Sequence, residues 1–595
     1  MLKEKTIWKT KIAQTLNEML RTANIDVEIS TDKIAAEIPP NAEMGDLGFP
    51  MFPFAKMFKK APPAIAASVA EILSQGTLHG ESSCLVFAVG PYVNIKLDRS
   101  ETSKQILEDV LAESESCCVS KFLKGKRIMV EFSSPNTNKP LHLGHLRNDV
   151  LGESISRILA ACGADVQKVC IINDRGIHIC KSMLAYIEKF SGKTPQSENK
   201  KSDRFVGDCY VEFDKMSKQE EAENASVEKN AKERAQDLLL KWEAGDADVT
   251  ALWKTMNDWT VNGIKETYKR TGVSFDKFYF ESKTYLRGKE EVQKGLEKNI
   301  FYKETDGSVW ADLSADNLDK KALLRKDGTS LYITQDFGTA ILRHDDWPFD
   351  RLVYVVGNEQ RYHFSVLFKL LERLGFVWAK DLYHLAYGMV NLPNGRMKSR
   401  EGTVVDADDL IDELRDMALE EIKQKEREEE VGNAACAAEK IALGALHYYL
   451  LQITPDKDML FNPEESLSFN GNTGPYLQYM GARICSILRQ EKAKQFDYKS
   501  ADLALLTSDA EWELIKTIST WQEVLNDAAD KMNPSIITAW LYDLSKKFST
   551  FYHICPILNA DDGGITCARL ALCKAVLAAL KNALHLVCIP FLEVM

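Results

Sequence analysis

Two histidines three residues apart, His142 and His145, flank Gly144 in the loop SSPNTNKPLHLGHLRN, which runs from Ser133 to Asn148. At that spacing both imidazoles lie on one side of a first helical turn, where they can donate hydrogen bonds to phosphate oxygens as negative charge builds in a transition state. Gly144 removes a side chain that would block a base or ribose. A second stretch, Lys215-Met216-Ser217-Lys218, spells a tetrapeptide found in mobile loops over ATP phosphates. Four residues cannot decide whether this one is such a loop or part of a helix.

The surrounding elements supply the decision. IMVEFSSPN, Ile128 to Asn136, is an apolar strand that runs into a polar loop. LRNDVLGESISRILAACG places Val150, Leu151, Ile155, Ile158 and Leu159 on one helical face, and VQKVCIIND reads as a second strand. Strand, loop, helix and strand in this order form a βαβ unit of a parallel sheet, whose ligands bind outside the carboxyl ends of the strands. The histidine pair opens the crossover helix at that end. Strand signals return in RLVYVVGNEQ and LYHLAYGMVNL, and the chain from 433 onward reads as helix.

Composition limits the alternatives. The 595 residues are 45% apolar and 27% charged, with thirteen cysteines and a net charge of -12. Such a chain is soluble and large enough for several domains. The acidic balance argues against holding nucleic acid by charge alone, so a polynucleotide must meet local patches and shape. No Cys-x-x-Cys pair occurs, which points to reduced thiols and away from zinc. The N-terminus sets Ile7, Ile12, Leu16 and Leu20 at helical spacing among charges and is expected to be the first helix of a domain. RLALCKAVLAALKNALHLVCIPFLEVM is interrupted by Lys574 and Lys581 and is expected to be a buried bundle helix, with no membrane partner.

EFSSPNTNKPLHLGHLRN resembles the HIGH-type signature of class I aminoacyl-tRNA synthetases, in the form carried by the arginyl-tRNA synthetases. INDRGIHICKSM, SLYITQDFGTA, VVGNEQRYHF, YGMVNLPNGRMKSREGTVV and GNTGPYLQYMGARICSIL resemble further blocks of that family, in its order. The likeness covers nearly the whole chain and is weakest in a charged, helix-forming stretch from about Lys193 to Asp276 that interrupts the α/β pattern. It implies an α/β fold: a Rossmann-type nucleotide-binding catalytic domain with an insertion, an N-terminal α+β domain and a C-terminal all-α bundle. The expected divisions are 1–120, an α+β domain touching tRNA; 121–192 and 301–432, the two catalytic halves; 193–300, a helical insertion; and 433–595, an anticodon-binding bundle.

The resemblance also implies the chemistry. Arginine would be activated by ATP, with Mg2+ carried by the nucleotide, and transferred to the 3′-terminal adenosine of tRNA(Arg) by a cytoplasmic monomer. The family's second signature belongs after the last strands, where GRMKSREGTVV stands between Gly395 and Gly402 behind LAYGMVNL. The literal Lys215–Lys218 match has neither flanking glycine nor a preceding strand. Lys398, Ser399 and Arg400 therefore join His142 and His145 in the implied catalytic set. Against the consensus the copy lacks its first lysine, and Lys139, just ahead of His142, is the implied replacement for the α-phosphate side.

By the same resemblance, ATP is contacted by His142, Gly144, His145, His363, Gly388, Met389, Val390 and Lys398. A guanidinium presents fixed donors and no acceptor, so its site needs carboxylates and other acceptors. Asp336 is the implied carboxylate, and Tyr332, four residues away, would accept from the guanidinium or pack on it. Ser134, Asn136, His142 and Gln360 would hold the α-ammonium and carboxylate, and Glu131 would pair with Lys139 to shape the pocket. Implied tRNA contacts are Asn94, Tyr476, Gln478, Tyr479 and Met595. Tyr476, Gln478 and Tyr479 also suit core or helix-capping positions, the simpler role for at least one of them. No metal site is expected.

Three rivals remain. A synthetase for another amino acid, such as cysteinyl, would want a zinc–thiolate pocket that the cysteine spacing does not offer. A catalytically silent tRNA-binding paralogue would have lost the motif histidines or Asp336, which are present. A small-molecule adenylyltransferase would have no use for a roughly 160-residue helical tail.

Overall fold

In the computed structural model, which describes residues 2–77, 84–112, 119–222, 229–391, 405–560 and 562–595, the chain begins with α1 (Leu2–Thr22). Trp8, Ile12, Leu16 and Leu20, four apart, form its buried stripe, while Ile7 faces solvent. β1 (Leu47–Pro50), α2 (Pro62–Thr77), β2 (Leu85–Val89), β3 (Tyr92–Lys96) and α3 (Arg99–Ala112) follow. The strands pair antiparallel in the order β1-β3-β2. Asp46 beside this sheet accepts from Trp512 Nε1 at 2.7 Å and from the Leu97 backbone N–H at 3.0 Å. The chain divides into two compact units: the first joins residues 1–118 to 483–524 and 540–582, and the second contains 119–482, 525–539 and 583–595.

The second unit is built on β4 (Arg127–Glu131), α4 (Leu143–Ala161) and β5 (Asp165–Ile172), the expected βαβ unit. Then come α5 (Ile177–Ala185), α6 (Ser202–Ala222), α7 (Ala231–Glu243) and α8 (Ala247–Thr271), which share a core that includes Phe205, Cys209, Phe213 and Met216. β6 (Lys277–Phe280) and α9 (Glu281–Glu297) return to the sheet directly after the charged stretch, inside the division drawn at 193–300. β6 is four residues, three of them aromatic, too short to announce itself by alternation. The literal Lys215–Lys218 match lies inside α6, with Met216 and Ser217 buried and Lys215 paired to Glu212 one turn back.

A small antiparallel sheet of β7 (Tyr302–Lys303), β8 (Val309–Ala311) and β9 (Lys321–Leu324) precedes α10 (Tyr332–Asp346), β10 (Arg351–Gly357), α11 (Arg361–Arg373) and β11 (Leu382–Tyr387). The main sheet is parallel, in the order β11-β10-β4-β5-β6. Parallel sheets are covered on both faces, so β4 and β10 read as nearly continuous apolar runs. The order reverses between β4 and β10, which opens the ligand crevice of such sheets at their carboxyl ends.

β12 (Val390–Asn391) pairs with β13 (Met459–Leu460). Between them in sequence lie α12 (Ala407–Gln424) and α13 (Ala434–Leu451), the latter buried on most sides. The remaining long helices are α14 (Gly474–Arg489), α15 (Asp509–Ser519), α16 (Trp521–Asp530), α17 (Ser535–Ile554) and α18 (Gly563–Leu586). α18 is long and apolar enough to cross a membrane, but most of its apolar stretch is buried inside the fold.

Candidate active site

The loop after β4 carries two consecutive non-glycine residues with left-handed backbone, Ser133 at φ 71° and Ser134 at φ 51°. Strain of this kind persists only where surroundings over-determine it, and it gathers at functional sites. Here the Ser133 amide donates to Asn148 Oδ1 at 2.5 Å and its hydroxyl pairs with the Tyr268 hydroxyl at 2.6 Å. Asn148 in turn donates to Val355 O at 2.8 Å and to the Tyr387 hydroxyl at 3.1 Å, so one side chain links the ends of β4, β10 and β11.

His142 is the N-cap of α4, and its Nδ1 accepts from the Gly144 amide at 3.1 Å. His145 completes a reciprocal capping box, its Nδ1 accepting from the His142 amide at 3.1 Å. The two rings lie 3.9 Å apart. With Nδ1 an acceptor in each, a neutral ring carries its proton on Nε2 and is a donor there. Burial, reinforced by the Lys139 charge, lowers His142 to about 4. Burial and then its two neighbours push His145 well below the usual histidine range. Both therefore act near neutral pH as uncharged donors. A Cβ on residue 144 would stand 3.0 Å from the His142 ring, so Gly144 makes room for that imidazole rather than directly for a nucleotide.

Burial also lowers Lys139. The expected Glu131–Lys139 pair is not formed. The Glu131 carboxylate instead accepts from the fully buried Arg343 of α10, and from the Ser134 hydroxyl at 3.1 Å. Arg343 is the better partner because its planar fork suits a buried carboxylate. Asn136 is exposed in the loop, and Gln360 is exposed in the 3-10 turn that follows β10.

Tyr332 and Asp336 share one face of the first turns of α10, with Tyr332 73% exposed. Asp336 Oδ2 lies 2.5 Å from His363 Nε2 on α11, so the residue implied for ATP stands against the one implied for arginine. Nearby, the sequence reading passed over Glu281, the first residue of α9. Burial raises its carboxyl to about 7, Arg175 opposes that rise, and Asp336 and Asp174 add to it. With its amide turned to satisfy both neighbours, Gln335 bridges, donating to Glu281 Oε1 at 2.6 Å and accepting from Arg175 at 3.0 Å. Arg175 lies over the Tyr285 ring at 4.2 Å. Only the motif INDRG hinted at this cluster, because Glu281 sits in the stretch read as insertion.

Gly388, Met389 and Val390 follow β11. A second residue the sequence reading missed holds them: the buried Arg147 donates to Gly388 O at 2.6 Å, to Met389 O at 3.2 Å and to Lys457 O at 2.8 Å. Met389 is half exposed at the crevice and Val390 is buried. Lys398, Ser399 and Arg400 lie outside the described residues. Among the described residues, no group of three or more His, Cys, Asp and Glu is placed to hold a metal.

The implied tRNA contacts fare unevenly. Gln478 is fully buried, its amide donating to Lys440 O at 2.9 Å and Pro590 O at 2.8 Å, so it locks the fold and does not face a base. Asn94 is likewise buried, donating to Met44 O at 2.7 Å. These amides are needed where buried carbonyls would otherwise lack donors. Tyr476 is partly buried. Tyr479 and Met595 line one pocket of about 350 Å³ with Arg427, Lys425 and Phe469, and Arg427 donates to Met595 O at 2.6 Å.

A parallel sheet in this order, with a histidine-capped helix at the switch point, is the frame of a class I synthetase. Residues 106–462 match the family described as tRNA synthetases class I (R), catalytic domain. Residues 6–97 match the arginyl tRNA synthetase N terminal domain, and 477–595 match the DALR anticodon binding domain. The chain is 58% identical to an arginine–tRNA ligase of Treponema denticola, covering 99% of each. It is 44% identical to that of Borreliella burgdorferi over 98% of this chain and 99% of the relative. In fold it is similar to the arginyl-tRNA synthetase of Thermus thermophilus, with a TM-score of 0.76 and 24% identity over 99% of both chains. For that of Plasmodium falciparum the TM-score is 0.75 at 19% identity, over 99% of this chain and 98% of the other. The chain belongs to the arginyl-tRNA synthetase family.

Proposed function

We propose that the chain activates L-arginine with ATP and transfers it to the 3′-terminal adenosine of tRNA(Arg). The carboxylate of arginine attacks the α-phosphorus of Mg-ATP in line, pyrophosphate leaves, and the terminal ribose hydroxyl of tRNA then attacks the arginyl-adenylate. Positioning and charge stabilisation carry the first step. The Nε2–H groups of His142 and His145 donate to the α-phosphate region, with Lys139 and the cations of Lys398 and Arg400 neutralising the developing charge. Mg2+ arrives with the nucleotide.

The observation that carries the choice of amino acid is the excess of carboxylate where α9 meets α10. Glu281, Asp336 and Asp174 gather there; burial raises Glu281 to about 7, the two aspartates add to that rise, and Arg175 opposes it. A guanidinium relieves that excess and offers a fork that two carboxylates can share. Lysine's point ammonium cannot, and neutral citrulline leaves buried charge unpaired. Tyr332 accepts from the guanidinium or packs on it, and Ser134, Asn136 and Gln360 hold the other end of the substrate. The pocket of Tyr479 and Met595 receives an anticodon base, read by stacking. The enzyme works as a cytoplasmic monomer.

The test is arginine-dependent ATP–pyrophosphate exchange, with and without tRNA. Exchange driven equally by lysine or citrulline would sink the arginine assignment.

A further inference from the structure

The insertion between β5 and β6 touches the histidine loop from three directions. In α8, Thr260, Ile264, Thr267, Tyr268 and Thr271 fall on one buried face at helical spacing. Three of them reach the site with hydroxyls. Thr260 donates to Thr137 O at 3.0 Å, Tyr268 pairs with Ser133 at 2.6 Å, and Thr267 donates to Asp408 Oδ2 at 2.9 Å. From α6, Gly207 lies against the turn ahead of His142, where a Cβ would stand only 2.8 Å from Pro140 Cδ.

The third contact is ionic. Asp408 lies in the first turn of α12, directly after the chain pairs back onto the histidine loop: Ala407 N donates to Leu141 O at 3.0 Å and Leu143 N to Val405 O at 3.3 Å. Its carboxylate takes Lys201 Nζ at 2.6 Å, and Arg270 at 3.2 Å, besides Thr267. Arg270 also binds Asp412 at 2.7 Å and Glu439 at 2.8 Å. Burial opposes charge on Asp408, yet these donors hold it below the usual carboxylate range. The pairs are mostly shielded, so they are worth more than surface bridges.

Resting on the proposed function, we infer that the insertion is a positioning element for adenylate formation: α6 and α8 fix the Thr137–Leu143 turn and the start of α12 as one cluster, through Gly207 against Pro140, Thr260 on Thr137, and Lys201, Thr267 and Arg270 on Asp408. Lys201, Asp408 and Gly207 are positioning residues. They act on the reaction by holding His142 and His145, and a misplacement of about 1 Å at such a site is enough to cost on the order of 10²-fold in rate.

The test uses the full chain and the variants Asp408→Asn, Lys201→Met, their double, and Gly207→Val. Two quantities are read: amide hydrogen exchange over residues 137–146 without substrates, and kcat and arginine KM for pyrophosphate exchange with tRNA present. The inference expects exchange of the 141–146 amides to rise about tenfold in Asp408→Asn and in Gly207→Val, with kcat lowered about tenfold or more and arginine KM within about twofold. The double variant is expected to lose less than the product of the two single losses, because the two residues share one contact, although Lys201 also pairs with the buried Asp203 at 3.0 Å. Unchanged amide exchange at 141–146 overturns the inference, as does an unchanged kcat or a fully additive double variant. If Gly207→Val does not fold, the ionic variants decide alone. Failure of the unmodified chain to show arginine-dependent exchange counts against the proposed function instead, and the amide measurement still decides the positioning claim.

Discussion

At the scale of single residues, the histidine pair and Glu281 make opposite statements about pH. His142 and His145 are neutral near pH 7 because burial disfavours their charged forms, so their donor role requires no proton uptake. The rate of adenylate formation at saturating arginine is expected to show no loss attributable to them between about pH 5.5 and 8. Glu281 has a raised carboxyl of about 7 and must ionise to pair with a guanidinium. The arginine KM is therefore expected to rise as pH falls below 7, by up to about tenfold per pH unit, and to level off above it. Glu281→Gln is expected to remove that inflection and raise the arginine KM by about tenfold to a hundredfold. An inflection that survives the substitution would assign it elsewhere. Sequence reading finds His142, Gly144 and His145 because their partners lie within three residues. It misses the true partner of Glu131, Arg343, which stands 212 residues away, where no local pattern can point.

Elements decide which of two similar segments does chemistry. Lys215–Lys218 sits within a 21-residue helix whose Met216 belongs to a hydrophobic core. Lys215→Ala with Lys218→Ala is expected to leave aminoacylation nearly unchanged, whereas Lys398→Ala with Arg400→Ala is expected to lower it about 10²-fold or more. Measured kcat/KM for both pairs settles the ranking, and the reverse order rejects it. Most of the parallel sheet was legible because β4, β5, β10 and β11 are largely apolar runs of five to eight residues. The end of the insertion was legible only in part: the charged run stops at Asp276, just ahead of β6, but β6 is only four residues and the division falls late, at 300. α10 carries the interior side of the sheet's ion pair, and Arg343→Met leaves Glu131 buried without its cation. Chemical denaturation is expected to show a loss of about 3–5 kcal/mol. A loss under about 1 kcal/mol would mean that Glu131 finds another donor or takes up a proton.

For the whole molecule, the helical tail does not behave as one appendage. α13 and the chain end after 582 belong with the catalytic sheet, so a truncation at 433 would strip packed residues from that unit and could not isolate tRNA binding. The cleaner probe is Tyr479→Ala, expected to raise the tRNA KM in charging by about tenfold with pyrophosphate exchange at saturating tRNA intact. Equal losses in both assays would place Tyr479 in the fold and not in recognition. The first unit joins residues 1–118 to residues 483–524 and 540–582. Lys5 pairs with Glu523, Ser103 donates to Leu506 O, and Asp46 receives Trp512, all within that unit. During synthesis, at about 5–20 residues per second, the N-terminal segment must wait roughly 25–90 s for those partners to leave the ribosome. Over that interval the apolar surface later covered by α15 is open to chaperones and proteases, so the last helices made set the lifetime of the first domain made.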